Sequence, residues 1–143
     1  MQLTTTPYFF SAFQAAPAGV LYEREFLTLV ASVETRSEHL LAKAVSAIAR
    51  KNNFPLYPVI GFKEFPGSGL GGAVEVSSGI YRAVVIGNRR FIQKEIGLSL
   101  PETLEAAARR WENEGARISL AGWDGWVRGV LKFTPETTLW NPA

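Results

Sequence analysis

Three successive segments in the middle of the chain alternate apolar and polar residues with a period close to two. They run over Val59–Phe65, Ala73–Val76 and Ile80–Ile86, and short links rich in glycine or serine separate them. Alternation of this kind is typical of half-buried strands, and connections this short join strands that run antiparallel. The middle of the chain is therefore predicted to form three antiparallel strands.

Helical spacing of apolar residues occurs on both sides of these strands. The pattern predicts helices between Tyr22 and Glu34, from Ser37 to about Lys51, over Asn88–Ile96 and over Pro101–Glu114. Further strands are predicted at Tyr8–Phe13, Arg117–Ala121 and Gly125–Phe133, the last two joined by a tight turn at 122–125. The order β, αα, βββ, αα, ββ indicates an α+β fold, in which two helical hairpins flank an antiparallel sheet of about six strands.

The composition is that of one globular domain, and it narrows the possible functions. The chain has 143 residues, of which 47% are hydrophobic and 20% charged, which suffices for one core. Fifteen Lys and Arg against 13 Asp and Glu give too weak a charge to indicate nucleic acid or an anionic membrane. With no cysteine, one histidine and one methionine, no transition-metal site is expected. Neither a signal-peptide pattern nor an apolar run of about 20 residues is present in this sequence.

The only histidine stands near the predicted start of the second helix, within Thr35-Arg36-Ser37-Glu38-His39. Ser37 can cap the first-turn amides, and Thr35 with Glu38 reads as a capping box. His39 is therefore predicted to lie in the first helical turn. The unpaired amides and the positive end of the helix dipole there suit an electron-rich or anionic ligand. Taken alone, such a histidine is more often an exposed surface residue than a ligand.

Glycines dominate the link between the first two of the three strands, in the sequence Pro66-Gly67-Ser68-Gly69-Leu70-Gly71-Gly72. The G-x-G-x-x-G spacing is not a dinucleotide fingerprint here, because a strand rather than a helix follows it, and no Gly-Lys-Ser/Thr follows to make a P-loop. Two explanations stay open. The glycines supply positive φ angles to a turn, or they let a flat ligand or a phosphate approach the backbone amides.

Three separated motifs together resemble the nucleotide-binding domain, or N-domain, of heavy-metal-transporting P-type ATPases. They are the S-E-H-L-L-A-K-A run at 37–44 with Glu34 before it, P-G-S-G at 66–69, and I-G-N-R at 86–89. The family typically shows S-E-H-P-L-A-x-A-I, then P-G-x-G, then I-G-N, on a six-stranded antiparallel sheet flanked by helical hairpins. The resemblance covers roughly Phe26–Phe133. It implies a single nucleotide-binding domain over 1–143, with a core at about 8–133 and ends that act as linkers toward a missing phosphorylation domain.

The resemblance implies an ATP-binding site. His39 would stack on adenine, and Glu34 would accept a hydrogen bond from the exocyclic amine. The other implied binding residues are Glu38 within the histidine motif, Gly67 and Gly69, against which the nucleotide would lie, and Gly87 with Asn88, which would face ribose or phosphate. Mg²⁺ would be carried by the nucleotide. Stacking worth about 1–3 kcal/mol and a few hydrogen bonds of about 1 kcal/mol predict micromolar to millimolar affinity.

The implied function is to hold ATP and to position its γ-phosphate for transfer to an aspartate in a separate domain of a copper-like or zinc-like pump. This sequence lacks the D-K-T-G-T phosphorylation loop and the acidic magnesium motif, so the chain alone should not hydrolyse ATP efficiently. The expected partners are ATP or ADP and the phosphorylation and actuator domains of the parent ATPase, without nucleic acid or direct membrane contact. The expected location is a cytoplasmic domain of an integral membrane protein.

The family motif has proline directly after the histidine, where this chain has Leu40. Proline in a first helical turn rigidifies the segment, so adenine binding here is expected to be weaker or more adaptable. An alternative function is therefore a non-catalytic interaction or regulatory module that keeps the fold but has lost ATP binding. Its surface could include some of the four tryptophans, although core or hairpin packing is the commoner role: Trp111, Trp123, Trp126 and Trp140.

A third hypothesis is a hydrolase that uses His39 with Ser37 or Asp124. It has little support, because the sequence contains no nucleophile elbow and nothing in it brings Asp124 to the imidazole.

Overall fold

The computed structural model describes residues 8–16, 20–97 and 100–135. Within these ranges the elements are β1 (Tyr8–Ala15), α1 (Val20–Glu34), α2 (Leu40–Lys51), β2 (Val59–Phe65), β3 (Gly69–Ser77), β4 (Ile80–Gly87), α3 (Arg89–Ile96), α4 (Glu102–Asn113), β5 (Arg117–Trp123) and β6 (Trp126–Pro135). The order and type of the elements agree with the prediction, and the α+β fold class is confirmed. Trp140 lies outside the described residues.

The six strands form one sheet in the order β1-β6-β5-β4-β3-β2, and every neighbouring pair is antiparallel. The contact between β4 and β5 is short, with pairing only from Val85 opposite Gly122 to Gly87 opposite Leu120. Because β4 ends at Gly87, residues 117–119 of β5 continue past it without that neighbour. This end of the sheet is consequently open between β5 and the β2–β3 turn.

The two helical hairpins pack on opposite faces of the sheet. Successive residues of a strand point to opposite faces, and in β5 and β6 they belong to two different apolar clusters. Ala121 and Leu131 pack with α1 and α2, whereas Leu120 and Val130 pack with α3 and α4. At β5 and β6 both faces of the sheet are thus buried under helices, whereas β2 and the start of β4 are largely exposed.

The boundaries at the glycine segment and at the β5–β6 turn differ from the sequence prediction. The glycine segment is not a long link, because the turn occupies only 66–68 and β3 begins at Gly69, which pairs with Gly87 of β4. Glycine has a poor strand propensity, so the sequence did not indicate that pairing. At the other end of the sheet, the predicted four-residue turn shrinks to Asp124-Gly125, with φ of 54° and 77°. Positive φ at both central residues is the type I′ geometry that suits a two-residue hairpin.

Candidate functional site

A cleft of about 110 Å³ opens at the end of the sheet where β4 ends and β2 turns into β3. The α1–α2 turn forms one side, the β2–β3 turn another, and the β4–α3 junction and the start of β5 close it. The lining residues are Glu34, His39, Leu41, Ala42, residues 64–70, Ile86, Gly87, Asn88 and residues 117–119. Six of the seven residues predicted from the motifs therefore meet in one place: Glu34, His39, Gly67, Gly69, Gly87 and Asn88.

His39 is the N-cap of α2 rather than a member of its first turn, so that detail of the prediction was wrong. Its backbone is extended, with φ of −64° and ψ of 147°, and its Nδ1 accepts a hydrogen bond of 3.2 Å from the Leu41 amide. The capping residue is thus the histidine itself, while Ser37 accepts a bond from the His39 amide at 3.0 Å. An acceptor at Nδ1 leaves the hydrogen of the neutral ring on Nε2. The imidazole is held by one edge and otherwise exposed.

Glu34 ends α1 and places a buried carboxyl at the cleft. The residue is only 3% exposed, and its carboxyl makes no hydrogen bond within the described part of the chain. Burial raises the pKa of Glu34 to about 8, and the nearby charge of Glu64 contributes in the same direction. At neutral pH the group is therefore mostly a neutral carboxylic acid, which offers one O–H donor and one carbonyl acceptor.

The glycines of the cleft are required by the protein's own packing. Gly67 has a φ of +77°, which the β2–β3 turn needs and which side chains other than glycine rarely adopt. A Cβ at Gly69 would collide with the carbonyl of Ile86 and the ring of Phe91, and a Cβ at Gly87 would meet the Ser68 carbonyl at 2.5 Å. Turn geometry explains Gly67, whereas close approach of neighbouring backbone and ring explains Gly69 and Gly87. A ligand contact at these glycines stays a prediction.

Asn88 joins the β2–β3 turn to the start of α3. It is the N-cap of that helix, where its Oδ1 accepts a bond of 2.8 Å from the Phe91 amide. Its Nδ2 donates to the Gly67 carbonyl at 3.1 Å, and its backbone N–H donates to the Ser68 carbonyl at 3.0 Å. These bonds leave one amide hydrogen of the side chain free of the described partners, and Asn88 is exposed at the cleft.

Glu38 lies apart from the other predicted binding residues. Its side chain is 91% exposed and pairs with the Lys43 Nζ at 3.1 Å, and Glu38 is not among the residues that line the cleft.

Sequence reasoning missed Glu64 and Arg117, both of which line the cleft. Glu64 accepts a hydrogen bond of 2.5 Å from the Ser37 hydroxyl. The Arg117 guanidinium lies 5.7 Å from the centre of the Tyr8 ring and is the one Lys or Arg group among the lining residues that the structure describes. Each is a charged residue at the end of a strand, an ordinary surface position, so no local signal could have identified it.

The geometry does not support the hydrolase hypothesis. The Ser37 hydroxyl is bonded to Glu64, and the Nδ1 of His39 is occupied by the Leu41 amide. Asp124 pairs with Arg82 at 3.0 Å, and Asp124 does not line the cleft.

Of the described tryptophans, Trp111 and Trp123 are buried in the two cores, and Trp126 is 61% exposed.

Comparison with known proteins identifies sequence relatives of this chain. None of the known protein-family models matches the chain. A probable copper-exporting P-type ATPase V of Mycobacterium tuberculosis is 34% identical over 107 residues, which are 75% of this chain and 13% of the relative. The copper-exporting P-type ATPase B of Archaeoglobus fulgidus is 33% identical over 119 residues, 80% of this chain and 16% of the relative. The chain thus spans only a small part of the length of the curated relatives it matches.

Solved structures show the same architecture. The N-domain of the copper-transporting P-type ATPase HMA6 superposes with a TM-score of 0.67 at 24% identity, covering 89% of this chain and 98% of that domain. A zinc-transporting PIB-type ATPase gives a TM-score of 0.73 at 20% identity, covering 90% of this chain and 19% of the pump. The fold is therefore that of the N-domain of heavy-metal-transporting P-type ATPases.

The sequence is related over about three quarters of its length to copper-exporting P-type ATPases, so the resemblance inferred from the three motifs is confirmed. The described helices include none with the length and apolarity that a bilayer crossing requires.

Proposed function

We propose that this domain binds ATP in the cleft and holds its γ-phosphate for transfer to an aspartate in a separate domain of a heavy-metal pump. The observation that carries the proposal is that residues from three distant motifs line one cleft. The sequence relatives are copper exporters, and the structural neighbours include copper and zinc transporters. These similarities support a role in a heavy-metal pump. The catalytic domain of the CPx-ATPase CopB-B, a solved structure with a TM-score of 0.55 to this chain, undergoes conformational changes upon nucleotide binding.

The cleft contains groups suited to the base of a nucleotide and other groups suited to its phosphates. The neutral carboxyl of Glu34 matches the edge of adenine, because N1 can accept its O–H while the exocyclic amine donates to its carbonyl. The exposed His39 ring supplies a face for stacking. Arg117 stands on β5, which β3 and β4 separate from Glu64 on β2 by about 14 Å. The phosphates are accordingly expected toward Arg117 and the exposed Asn88, away from the acidic side.

The rest of the proposal concerns the parent protein. We take residues 1–143 as a single nucleotide-binding domain with a core at about 8–133, on the cytoplasmic side of an integral membrane pump. Its partners are ATP or ADP and the phosphorylation and actuator domains, and Mg²⁺ arrives with the nucleotide. Since the cleft presents no activated nucleophile among its described residues, the domain contributes binding and positioning, and efficient hydrolysis requires the other domains.

The test is an NMR titration of the ¹⁵N-labelled chain with MgATP. We expect the amide signals of His39, Gly67, Gly69 and Asn88 to move with a micromolar to millimolar dissociation constant, while Gly79 and Gly125, in turns outside the cleft, stay in place. Silence at all four cleft signals up to millimolar ATP would defeat the proposal and favour the interaction module.

Two variants separate stacking from capping at His39. His39→Asn keeps an N-cap side chain but removes the ring, so ATP affinity should fall about 5- to 150-fold, the equivalent of about 1–3 kcal/mol of base stacking. His39→Phe keeps the ring but loses the cap, so it should retain more of the affinity and unfold more easily. Equal ATP affinity in the native protein and in His39→Asn would contradict a stacking role.

A further inference from the structure

Glu64 joins two walls of the cleft that are far apart in sequence. It lies near the end of β2, and its Oε2 accepts a hydrogen bond of 2.5 Å from the Ser37 hydroxyl, which belongs to the α1–α2 turn 27 residues earlier. Ser37 is only 4% exposed, so this bond is protected from competing water at the serine end. A carboxylate acceptor makes the bond a strong one.

The same hydroxyl holds the backbone of His39. A serine hydroxyl has one hydrogen to donate, and donating it to Glu64 turns the oxygen lone pairs toward other donors. One of them accepts the His39 amide at 3.0 Å, and the His39 Nδ1 in turn accepts the Leu41 amide at 3.2 Å. Hydrogen bonds therefore connect Glu64 through Ser37 to the backbone of His39, and a separate bond from the Leu41 amide holds its imidazole.

Position 40 lacks the backbone restraint that a proline would supply. Leu40 is the first residue of α2, the position at which proline is most readily accommodated. The preceding residue, His39, already has the extended φ and ψ that a following proline imposes. The turn thus adopts the conformation that a proline would favour, but without the ring that would restrict it.

We propose, on the basis of the proposed ATP site, that Glu64 is a positioning residue: through Ser37 it fixes the turn that presents His39, supplying the restraint that proline at position 40 would otherwise provide. Glu64 acts through other residues and makes no contact with the base in this role. Its charge also faces Glu34, so the test must separate the hydrogen bond from the charge.

The variants are chosen for that separation. Glu64→Ala removes both the acceptor and the charge, whereas Glu64→Gln removes the charge but keeps an amide oxygen that can accept from Ser37. Glu95→Ala, on the exposed side of α3 and outside the cleft, is the matched control for the loss of one negative charge. Leu40→Pro, alone and combined with Glu64→Ala, tests whether proline restores the lost restraint.

The first measurement is amide hydrogen exchange without nucleotide. In Glu64→Ala the protection factors of the His39 and Leu41 amides should fall about three- to tenfold, as expected for loss of one hydrogen bond, while Glu64→Gln and Glu95→Ala should stay close to the native protein. Unchanged protection in Glu64→Ala would overturn the proposal even if ATP binds well. Thermal unfolding of each variant verifies that it is folded.

The second measurement is the dissociation constant for MgATP. Glu64→Ala should bind about three- to tenfold more weakly than Glu64→Gln, and adding Leu40→Pro should bring Glu64→Ala to within about twofold of Leu40→Pro alone. If proline gives the same gain with and without Glu64, the two restraints are independent and the proposal fails. If the native protein binds no ATP, the proposed function fails, and the exchange experiment still decides whether Glu64 fixes the turn.

Discussion

At the scale of single residues, the buried carboxyl of Glu34 is the strongest chemical feature of the cleft. A group that is 3% exposed, without a hydrogen bond from the described residues and close to a second carboxylate, is stabilised in its neutral form. The charged or titratable groups that share the cleft with it are Glu64 on β2, His39 in the α1–α2 turn and Arg117 on β5. The protonation state of Glu34 therefore affects both the stability of the domain and the hydrogen bonds that the cleft can offer to a ligand.

Glu34→Gln should remove a pH dependence of stability. The unfolded chain releases the Glu34 proton near pH 4.5, whereas the folded chain keeps it up to about pH 8. The stabilising contribution is thus fully present below pH 4.5 and is lost as the pH rises toward 8, by up to about 1.4 kcal/mol per pH unit. Denaturant unfolding at pH 5, 6, 7 and 8 should show a smaller decline in Glu34→Gln than in the native protein. Parallel declines in the two proteins would show that Glu34 ionises normally.

At the scale of elements, the start of α2 shows how a helix end can serve a site. The helix begins at Leu40 rather than at Ser37, because the histidine takes the cap and Ser37 turns to Glu64 and the His39 amide. Asn88 has the same double use at α3, where it caps the helix and holds the Gly67 carbonyl. Both caps bring polar side chains to the open end of the sheet.

Leu40→Pro should stabilise the domain by about 0.4–1 kcal/mol. The backbone at His39 and the first position of α2 already fit proline, so the substitution restricts the unfolded chain without straining the folded one. Equilibrium unfolding by denaturant measures the gain, and Ala44→Pro, in the interior of α2, is the control that should cost about 3 kcal/mol. A loss of stability in Leu40→Pro would mean that the turn does not have the conformation described.

At the scale of the whole molecule, helices cover both faces of the sheet at β5 and β6, and the cleft lies at the open end of the sheet. The α1–α2 turn, the β2–β3 turn, the β4–α3 junction and the start of β5 bring four segments of the chain to that end. The acidic side of the cleft is on the β2 edge, and the cationic side is on β5. This polarity suits a ligand with a neutral base and an anionic tail.

Arg117→Ala should weaken the binding of ATP about tenfold and leave the binding of adenosine unchanged, because only the phosphates gain from the guanidinium. The difference should narrow as salt is raised from about 0.05 to about 0.5 M, since the group is exposed and its charge is screened. Calorimetric titrations with both ligands measure this, with Arg50→Ala, at the far end of α2, as the control. Equal losses for ATP and adenosine would place Arg117 near the base instead.

The sequence by itself determined the order and type of the elements and the α+β class, because hydrophobic period and the placement of glycine and proline are local properties. Six of the lining residues were predicted from the resemblance of three short motifs to a known family. Only the tertiary structure decided that Gly69 lies in a strand, that His39 caps its own helix and that Glu38 points away. It alone brought Glu64 to Ser37 and raised the pKa of Glu34. Each of these depends on contacts between segments of the chain, and no local pattern of residues encodes the side-chain directions, packing and desolvation that such contacts produce.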